Sequence, residues 1–484
     1  MEKKNFYITT TLPYVNAEPH VGFAMEIIRA DVIARYKKLL GYNVFFNTGT
    51  DEHGQKLVTS AEKEGLNVKE YVDRNAEKFK ELIKILNIDS TVHFIRTTDE
   101  HHEKSAQEFW KRCFDNGFIY KKNYQAKYCV GCELEKTDSE LNDSGECPIH
   151  PGRAIELIDE ENYFFKFGEF GEKLLKFYED NPNFVTPDFR FNEIKSFVSG
   201  GLTDFSISRQ KSKMSWGVPV PNDDQHVMYV WFDALVNYIS TLGWPENTNQ
   251  FEDFWVNGNP TQYCGKDNLR QQSAMWQAML MAASLPNSKQ IIINGFITGE
   301  GGVKMSKSLG NGIDPVQLIE EYKQYAGDLA GDALRYFVLR HLNTFEDSPM
   351  SLDLFKDAYN SGLANGLGNL LSRVLTMAEN YGVEGVEVKN EIFQIEHLEK
   401  FEITKFTEGI WARLAELDKY IQVEEPFKKF KVDPEGAQKD VKYLLNEIAN
   451  LIPELSIVIP DTAEKIKELL KAGKKPSEPL FKRI

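Results

Sequence analysis

Residues 5–46 decide the fold of this chain and read NFYITTTLPYVNAEPHVGFAMEIIRADVIARYKKLLGYNVFF. The segment from Asn5 to Leu12 is typical of a strand, and Ala17-Glu18-Pro19 after it is typical of a turn. Gly41 ends the next pattern, and Tyr42 to Phe46 again resembles a strand. Between these strands, apolar side chains recur at helical spacing at Val21, Met25, Ile28, Val32 and Tyr36. The stretch therefore predicts a βαβ unit.

The turn that opens the predicted helix is a candidate phosphate site. No GxGxxG sequence occupies it, but His20-Val21-Gly22 lies where the free N–H groups of a helix N-terminus attract an anion. Gly22 would let a nucleotide approach the backbone closely, and His20 could donate a hydrogen bond to a phosphate oxygen as negative charge develops there. Taken alone, His20 also fits an ordinary residue at a helix start. The functional interpretation predicts a bound mononucleotide.

A second candidate phosphate site lies far along the chain, in residues 301–311, which read GGVKMSKSLGN. They follow a strand-like segment, Gln290 to Ile297, and glycines at both ends indicate a mobile loop. Lys304 and Lys307 can surround a triphosphate and follow the pyrophosphate as it leaves, and hydroxyls lie beside them. Lysine-rich surface loops are common, but the string KMSKS is rare by chance, so a functional loop is predicted. The neighbouring hydroxyls belong to Ser306 and Ser308.

Length, charge and composition exclude several classes of protein. A chain of 484 residues predicts about three domains. The formal net charge of −16 argues against a nonspecific coat for nucleic acid, because affinity for phosphate backbones comes mainly from clustered Lys and Arg. There is no secretory leader pattern and no run of 18 apolar residues, so a cytoplasmic protein without membrane contact is predicted.

Three of the five cysteines lie close together in the sequence. Cys129 and Cys132 form CxxC, and Cys147 and His150 form CxxH after fourteen intervening residues. Three thiolates and one imidazole suit tetrahedral Zn²⁺, and four protein ligands leave no open position for a reacting water. One structural zinc ion per chain is predicted; disulfides, loose thiols and a catalytic metal are the alternatives. The remaining cysteines, Cys113 and Cys264, are interpreted as small packing residues.

Beyond about Leu352 the pattern becomes wholly helical and predicts a helix bundle. Three stripes of apolar side chains at helical spacing carry this prediction, namely Leu363, Leu367, Leu370 and Val374, then Ile410, Leu414, Leu417 and Ile421, then Val441, Leu444, Ile448 and Leu451.

The His20 and KMSKS motifs together resemble the two signatures of class I aminoacyl-tRNA synthetases, and the resemblance extends over essentially the whole chain. Within that class the sequence is similar to the methionyl-tRNA synthetase family. The segments that carry this subtype are Thr11-Leu12-Pro13-Tyr14-Val15-Asn16, Gly49-Thr50-Asp51-Glu52-His53-Gly54, Tyr229-Val230-Trp231-Phe232-Asp233-Ala234 and Gly265-Lys266-Asp267.

The resemblance assigns roles to individual residues. Asp51 would bind the ammonium group of methionine, Asp267 would hold the ribose of ATP, and His20, Lys304 and Lys307 would be catalytic, with Mg²⁺ bridging the phosphates. Two positions depart from the family pattern: Phe23 replaces a histidine of the first signature, and Gln272 replaces a histidine beside the methionine pocket. Gln272 can still donate a hydrogen bond. The residues that would surround the methionine side chain are Leu12, Tyr14, Trp231, Ala234, Leu235, Tyr238 and Trp276.

The resemblance also implies an anticodon site in the bundle. Asn369 and Arg373 are four residues apart on one helix face and could hydrogen-bond to and stack on splayed-out bases. Phe427 stands where relatives have a stacking tryptophan, so it keeps the aromatic face and loses the indole N–H. The sequence stops where relatives end their bundle, without the dimerisation module that some of them carry, and a monomer is predicted.

The predicted architecture is α/β, with a Rossmann-like nucleotide-binding domain, a zinc-knuckle insertion and an all-α anticodon-binding bundle. The predicted reaction is activation of L-methionine by ATP to methionyl-adenylate, followed by transfer to the 3'-terminal adenosine of tRNA(Met). The predicted boundaries are residues 1–114 for the first catalytic half, 115–224 for the insertion, 225–325 for the second catalytic half, 326–351 for a stem-contact linker and 352–484 for the bundle.

Two other functions stay open at this point. A valyl or isoleucyl enzyme would carry a large editing insertion, for which residues 115–224 are too few, and a cysteinyl enzyme would use its zinc to bind the substrate thiol. A zinc-knuckle RNA-binding protein without catalysis, descended from a synthetase, is the alternative from a different class, and the replacements at Phe23 and Gln272 are the features that favour it.

Overall fold

The computed structural model describes residues 4–132, 134–136, 140–299, 305, 312–388, 392 and 395–484. Within these ranges the strands are β1 (Asn5–Thr9), β2 (Asn43–Thr50), β3 (Val92–Arg96), β4 (Ile119–Cys129), β5 (Leu134–Lys136), β6 (Ile155–Phe165), β7 (Val185–Thr186), β8 (Phe205–Ser206), β9 (Ser208–Gln210), β10 (Pro219–Val220), β11 (Asp223–Met228), β12 (Pro260–Gly265), β13 (Gln290–Asn294), β14 (Ile297–Thr298) and β15 (Ser348–Pro349).

The helices of the same ranges fall into a catalytic group and a C-terminal group. The catalytic group comprises α1 (Val21–Leu39), α2 (Gln55–Lys63), α3 (Val68–Ile85), α4 (Glu100–Asp115), α5 (Gly171–Asp180), α6 (Asp188–Ser199), α7 (Val230–Ala234), α8 (Asn237–Ser240), α9 (Trp276–Ala282), α10 (Pro315–Ala326) and α11 (Ala330–His341). The C-terminal group comprises α12 (Leu352–Ala358), α13 (Asn369–Tyr381), α14 (Ile395–Glu399), α15 (Ile403–Glu424), α16 (Pro426–Lys429), α17 (Pro434–Val458) and α18 (Pro460–Ala472).

The predicted βαβ unit is confirmed, because β1 and β2 pair in parallel and α1 connects them. The strand ends differ from the prediction. β1 ends at Thr9, three residues before the predicted end, and β2 continues to Thr50, four residues beyond Phe46. This last part of β2 is polar but buried, and it is stabilised by pairs such as Thr10 with Thr48, whose hydroxyl oxygens are 2.7 Å apart. A polarity pattern alone does not detect such a strand end.

The central sheet is parallel, with the strand order β3-β2-β1-β12-β13-β7. Neighbouring residues of a strand enter different cores: Phe6 and Phe46 pack on one face, and Tyr7 and Phe45 pack on the other. Both faces are therefore covered, as in doubly wound folds. The chain moves from β1 toward β3 and later returns to β12 on the other side of β1. In such sheets, ligands bind at the carboxyl ends of the strands where the order reverses.

The segment predicted as an insertion is built on a long antiparallel pair. β4 and β6 pair from Ile119–Phe165 to Cys129–Ile155, and β5 and β8 flank them. β7 also lies within residues 115–224, yet it pairs in parallel with β13 at the edge of the central sheet. The CxxC and CxxH pairs lie at the far end of the β4–β6 pair.

The predicted C-terminal bundle is confirmed, and all twelve residues of the three apolar stripes are buried. Its core is continuous with that of one sheet face, so α1 is enclosed between the sheet and the bundle. Polar side chains of α1 find partners at this depth; the guanidinium of Arg29 donates to Asn294 Oδ1 at 3.0 Å and to backbone oxygens of residues 342–344. The α/β class with a parallel sheet and a helical C-terminal domain is thus confirmed. No described helix is long and apolar enough to cross a membrane.

Candidate active site

Tyr14 and Asp51 lie side by side at the carboxyl ends of the first two strands. The Asp51 backbone N–H donates to the backbone oxygen of Pro13 at 3.0 Å, and the Val15 N–H donates to the backbone oxygen of Asp51 at 3.3 Å. Gly54 fits closely over this pair: its φ is 118°, and a Cβ there would lie 2.3 Å from Tyr14 Oη. Any larger residue would push the tyrosine away. The backbone therefore fixes an aromatic ring beside a carboxylate.

The short helices α7 and α8 present aromatic and aliphatic side chains next to these strands. Tyr238 is buried and Trp231 is partly buried. Tyr7 of β1 donates from its hydroxyl to the backbone oxygen of Tyr238 at 2.9 Å, and Asn47 of β2 donates to Asn237 Oδ1 at 3.2 Å. These bonds attach α8 to the two strands. Leu12, Ala234, Leu235 and Trp276 are also buried.

Gln272 belongs to a buried chain of amides and hydroxyls. Its Nε2 donates to Tyr238 Oη at 2.7 Å, and its Oε1 accepts from Gln262 Nε2 at 2.6 Å. The Ser288 hydroxyl donates to Gln262, and Gln277 Nε2 donates to Ser288 Oγ at 3.1 Å. Tyr238 also lies against Trp276, with ring centroids 6.0 Å apart. The hydrogen-bonding group predicted at Gln272 is therefore directed at the Tyr238 hydroxyl, and the other members of the chain are amides and a serine hydroxyl.

His20 caps the N-terminus of α1. Its Nδ1 accepts from the Gly22 N–H at 3.0 Å, and a Cβ at Gly22 would lie 2.8 Å from the imidazole. His20 is exposed at the helix start. Phe23 has a different environment: it is buried and packs edge-on against Phe79, with centroids 5.1 Å apart. Phe23, which replaces the histidine of the family signature, is thus a core residue.

Glu26 is a half-buried carboxyl on the next turn of α1, and sequence reasoning missed it. The Thr11 N–H donates to Glu26 Oε1 at 2.7 Å. Burial raises the pKa of Glu26 to about 8, hydrogen bonds from Thr11 oppose this, and the negative charge of Asp267 adds to the rise. Glu26 therefore joins the end of β1 to the end of β12, where Asp267 is exposed. The one sequence feature that could have indicated a role for Glu26 is its position four residues after Gly22, on the same face of the helix.

The lysine loop lies almost entirely outside the described residues, which exclude Lys304, Ser306, Lys307 and Ser308. The segments beside it are placed. The Met305 N–H donates to the backbone oxygen of Ile297 at 3.3 Å, and the Val21 N–H donates to the backbone oxygen of Ile313 at 3.4 Å. The second bond connects the chain just after the loop to the first residue of α1. The described chain after the lysine motif is therefore hydrogen-bonded to the helix that begins next to His20.

The CxxC and CxxH pairs converge. The ligand atoms of Cys129, Cys132, Cys147 and His150 all lie within 4.8 Å of one another. The Cys132 and Cys147 sulfurs are 3.4 Å apart, and Cys132 Sγ is 3.2 Å from His150 Nδ1. All five cysteines of the chain are free thiols, and 3.4 Å is far beyond the ~2.05 Å of a disulfide bond. The donor set and its spread fit a tetrahedral metal ion. Cys113 and Cys264 are buried packing residues, as predicted.

The predicted anticodon residues lie on two helices of the bundle, α13 and α16. Asn369 is exposed at the start of α13, and Arg373 one turn later forms an ion pair with Asp418 of α15. Phe427 lies on α16, and 45% of it is exposed. The ring of Phe427 thus keeps a face that is open to solvent.

Comparison with known families identifies the family of the chain. Residues 6–156 and 150–375 match the family described as class I tRNA synthetases (M), and residues 377–479 match the anticodon-binding domain of methionyl tRNA ligase. The chain belongs to the methionyl-tRNA synthetase family.

Individual relatives of this family cover nearly the whole chain. The methionine–tRNA ligase of Thermotoga maritima is 38% identical over 99% of this chain and 80% of its own length. That of Rickettsia bellii is 38% identical over 99% of this chain and 94% of its own length. Among solved structures, Mycobacterium tuberculosis methionyl-tRNA synthetase in complex with methionyl-adenylate matches with a TM-score of 0.89 and 33% identity over 99% of both chains. The apo form of that protein matches with a TM-score of 0.81.

Proposed function

We propose that this chain is a methionine–tRNA ligase that joins L-methionine to ATP as methionyl-adenylate and then passes the amino acid to tRNA(Met). One observation supports this most directly: Asp51 and Tyr14 lie side by side at the strand ends where the order of the parallel sheet reverses. A carboxylate beside aromatic walls suits an amino acid whose ammonium group is charged and whose side chain is apolar.

The residues proposed for the side chain of methionine suit a thioether. Contacts between sulfur and aromatic rings contribute about 0.3–1.5 kcal/mol each, and Tyr14, Trp231, Tyr238 and Trp276 supply the rings. Leu12, Ala234 and Leu235 would fill the remaining apolar surface. Gln272 would hold the hydroxyl of Tyr238 in place from behind, since its amide donates to that oxygen at 2.7 Å.

The proposed first step is in-line attack of the methionine carboxylate on the α-phosphate of ATP, which releases pyrophosphate. His20 would bind phosphate at the start of α1, Gly22 would leave room for the nucleotide beside the backbone, and Asp267 would hold the ribose. Lys304 and Lys307, with Ser306 and Ser308, would stabilise the negative charge that develops on the leaving pyrophosphate. Mg²⁺ that accompanies ATP would neutralise part of the phosphate charge.

The proposed second step is attack of the 3'-terminal hydroxyl of the tRNA on the adenylate carbonyl, which requires positioning more than a base. Asn369, Arg373 and Phe427 would read the anticodon, by hydrogen bonds from the polar pair and by stacking on the exposed ring. Arg373 would exchange its partner Asp418 for RNA or present its remaining N–H groups. The domains proposed for these tasks are residues 1–114 and 225–325 for catalysis, 115–224 for the insertion, 326–351 for stem contact and 352–484 for the anticodon.

Zn²⁺ is the metal proposed for the cysteine cluster. Cys129, Cys132, Cys147 and His150 would fill its four positions, so its role would be to hold the end of the β4–β6 pair rather than to activate water. The protein is further proposed to act in the cytoplasm as a monomer.

An ATP–pyrophosphate exchange assay with each of the twenty amino acids tests this function. Methionine alone should support exchange. Exchange with valine, isoleucine or cysteine instead would assign the chain to another specificity. A complete lack of exchange, by protein that still binds tRNA(Met), would favour the RNA-binding alternative without catalysis.

A further inference from the structure

Two of the sequence motifs contain acidic and basic residues to which the proposed reaction gives no role. His53 follows Asp51 by two positions, and Asp233 follows Trp231 by two positions. The structure brings them together: His53 Nδ1 lies 2.9 Å from Asp233 Oδ2, and both side chains are buried. The two residues are 180 positions apart in the sequence, so nothing local requires this contact.

Asp233 is held from its other side as well. Its Oδ1 lies 3.3 Å from His102 Nε2, and His102 Nδ1 lies 2.9 Å from Ser240 Oγ, at the end of α8. Both oxygens of this buried carboxylate therefore have a partner. A buried carboxylate with fixed partners has a fixed position, because any displacement would leave a charge without compensation.

His53 is equally constrained. Its Nε2 lies 3.8 Å from Glu103, and its ring lies 5.8 Å from that of Trp216. The Trp216 indole N–H donates to the backbone oxygen of Glu52 at 2.6 Å, and the Glu52 carboxylate accepts two bonds from Arg96 at 2.7 and 2.8 Å. Glu52, which lies between Asp51 and His53, is thus held by hydrogen bonds from Trp216 and Arg96.

His53 and Asp233 shift each other's pKa toward the charged forms. Burial lowers the pKa of His53, but the charge and hydrogen bond of Asp233, with further contributions from Glu103 and Glu52, raise it overall above its usual range. Burial raises the pKa of Asp233, and His53 and His102 together bring it below its usual range. Each partner therefore favours the charged form of the other.

We propose that His53 and Asp233 are positioning residues that set the distance between the ammonium site at Asp51 and the side-chain pocket at Trp231 and Ala234. This inference rests on the proposed function. An amino acid fits only if its two ends meet both features at once, so loosening the pair would weaken methionine binding and leave the ATP side unchanged. Neither residue contacts the reacting atoms in this account.

The test uses Asp233→Asn, which keeps the shape and a hydrogen-bonding group but removes the charge. His53→Asn is the second variant, because its amide nitrogen occupies the place of Nδ1 and retains a neutral bond to Asp233. Asp332→Asn is the matched control: Asp332 is also buried and accepts from the Thr462 N–H at 2.6 Å, but it lies between α11 and α18, away from the site.

The measurements are the methionine Kd by equilibrium dialysis, and KM for methionine, KM for ATP and kcat in pyrophosphate exchange. We expect Asp233→Asn to raise the methionine Kd and KM about tenfold or more with the ATP KM within twofold, and His53→Asn to give a smaller rise of the same kind. A methionine Kd in both variants equal to that of Asp332→Asn would overturn the proposal, as would equal weakening of methionine and ATP. Lack of methionine-dependent exchange by the unmodified protein would instead reject the proposed function.

Discussion

Arg335 and Asp31 form an ion pair with an N–O distance of 2.8 Å, and neither side chain is exposed to solvent. Arg335 also donates to the backbone oxygens of Val458 at 2.8 Å and Ile457 at 3.1 Å, at the end of α17. Asp31 lies on α1, the helix that begins at the candidate phosphate site. One satisfied network therefore joins the helical bundle to the catalytic sheet.

Replacement of Arg335 by Met should destabilise the protein strongly, because it leaves Asp31 as a buried charge that has lost one partner. Removal of one member of a buried pair typically costs about 3–5 kcal/mol. The shift of the urea unfolding midpoint measures this loss. Lys465→Met is the control, since its pair with Glu468 is exposed and should contribute less than about 1 kcal/mol. A shift for Arg335→Met no larger than that of the control would contradict a structural role for the network.

Glu26→Gln should make the stability less sensitive to alkaline pH. The pKa of Glu26 is about 8 in the folded protein against 4.5 for a free carboxyl, so the folded state retains a proton that the unfolded state releases between these values. Stability from this group is therefore lost as pH rises across that window. The variant cannot release a proton, and its Tm relative to the unmodified protein should rise steadily from pH 5 to pH 8.5. The exposed Glu468→Gln should show a constant Tm difference over this range. A constant difference for Glu26→Gln as well would show that the folded protein does not hold Glu26 in its protonated form.

Phe23→His, which restores the family signature, should not increase exchange activity. The Phe23 ring is buried against Phe79 at a centroid distance of 5.1 Å, so an imidazole there would lose an aromatic pair and bury a polar ring. These effects together should cost about 1–3 kcal/mol, measured by thermal unfolding. Phe23→Leu, which stays apolar, is the matched control. A gain in kcat/KM for ATP in Phe23→His would show that the side chain reaches the phosphate site.

Lys307→Ala should remove most exchange activity while it leaves the Tm nearly unchanged, because a loop that stabilises departing pyrophosphate acts on the transition state alone. Exchange rates and thermal unfolding on the same preparation test both halves of this expectation. Lys467→Ala, at an exposed position of α18, should change neither. A large fall in Tm for Lys307→Ala would indicate a structural loop.

Freshly purified protein should contain about one zinc ion per chain by elemental analysis, and Cys147→Ser should contain almost none. The sulfur of Cys147 lies 3.4 Å from that of Cys132, so its loss removes a ligand from the centre of the cluster. Cys113→Ser makes the same chemical change at a buried cysteine outside the cluster and should retain the zinc at reduced stability. Equal zinc contents in the two variants would reject the assignment.

Much of the architecture was predictable because its signals are local. Helical periodicity placed α1 and all three stripes of the bundle, and the spacing of Cys129, Cys132, Cys147 and His150 was sufficient to predict that they converge. Short loops keep such residues together in any fold. The KMSKS motif could also be recognised from the sequence, although its lysines lie outside the described part of the chain.

Other features could not be predicted, because they depend on partners far away in the sequence. Glu26 has no distinguishing signal in the sequence, and its partial burial against Thr11 and near Asp267 raises its pKa to about 8. The end of β2 was missed because its polar residues are paired with other buried polar groups. Polarity in a sequence indicates exposure on average, and a satisfied buried network has the same composition as a surface.

The sequence by itself determined the family, the helical and strand periods, the candidate metal ligands and the two candidate phosphate motifs, since each of these depends on residues a few positions apart. Only the tertiary structure decided that His53 meets Asp233, that Gln272 is directed at Tyr238, and that Arg335 joins the bundle to α1. These contacts form because burial removes water from charged and amide groups. Such groups then need hydrogen-bond partners within the protein, and these partners come from distant parts of the sequence.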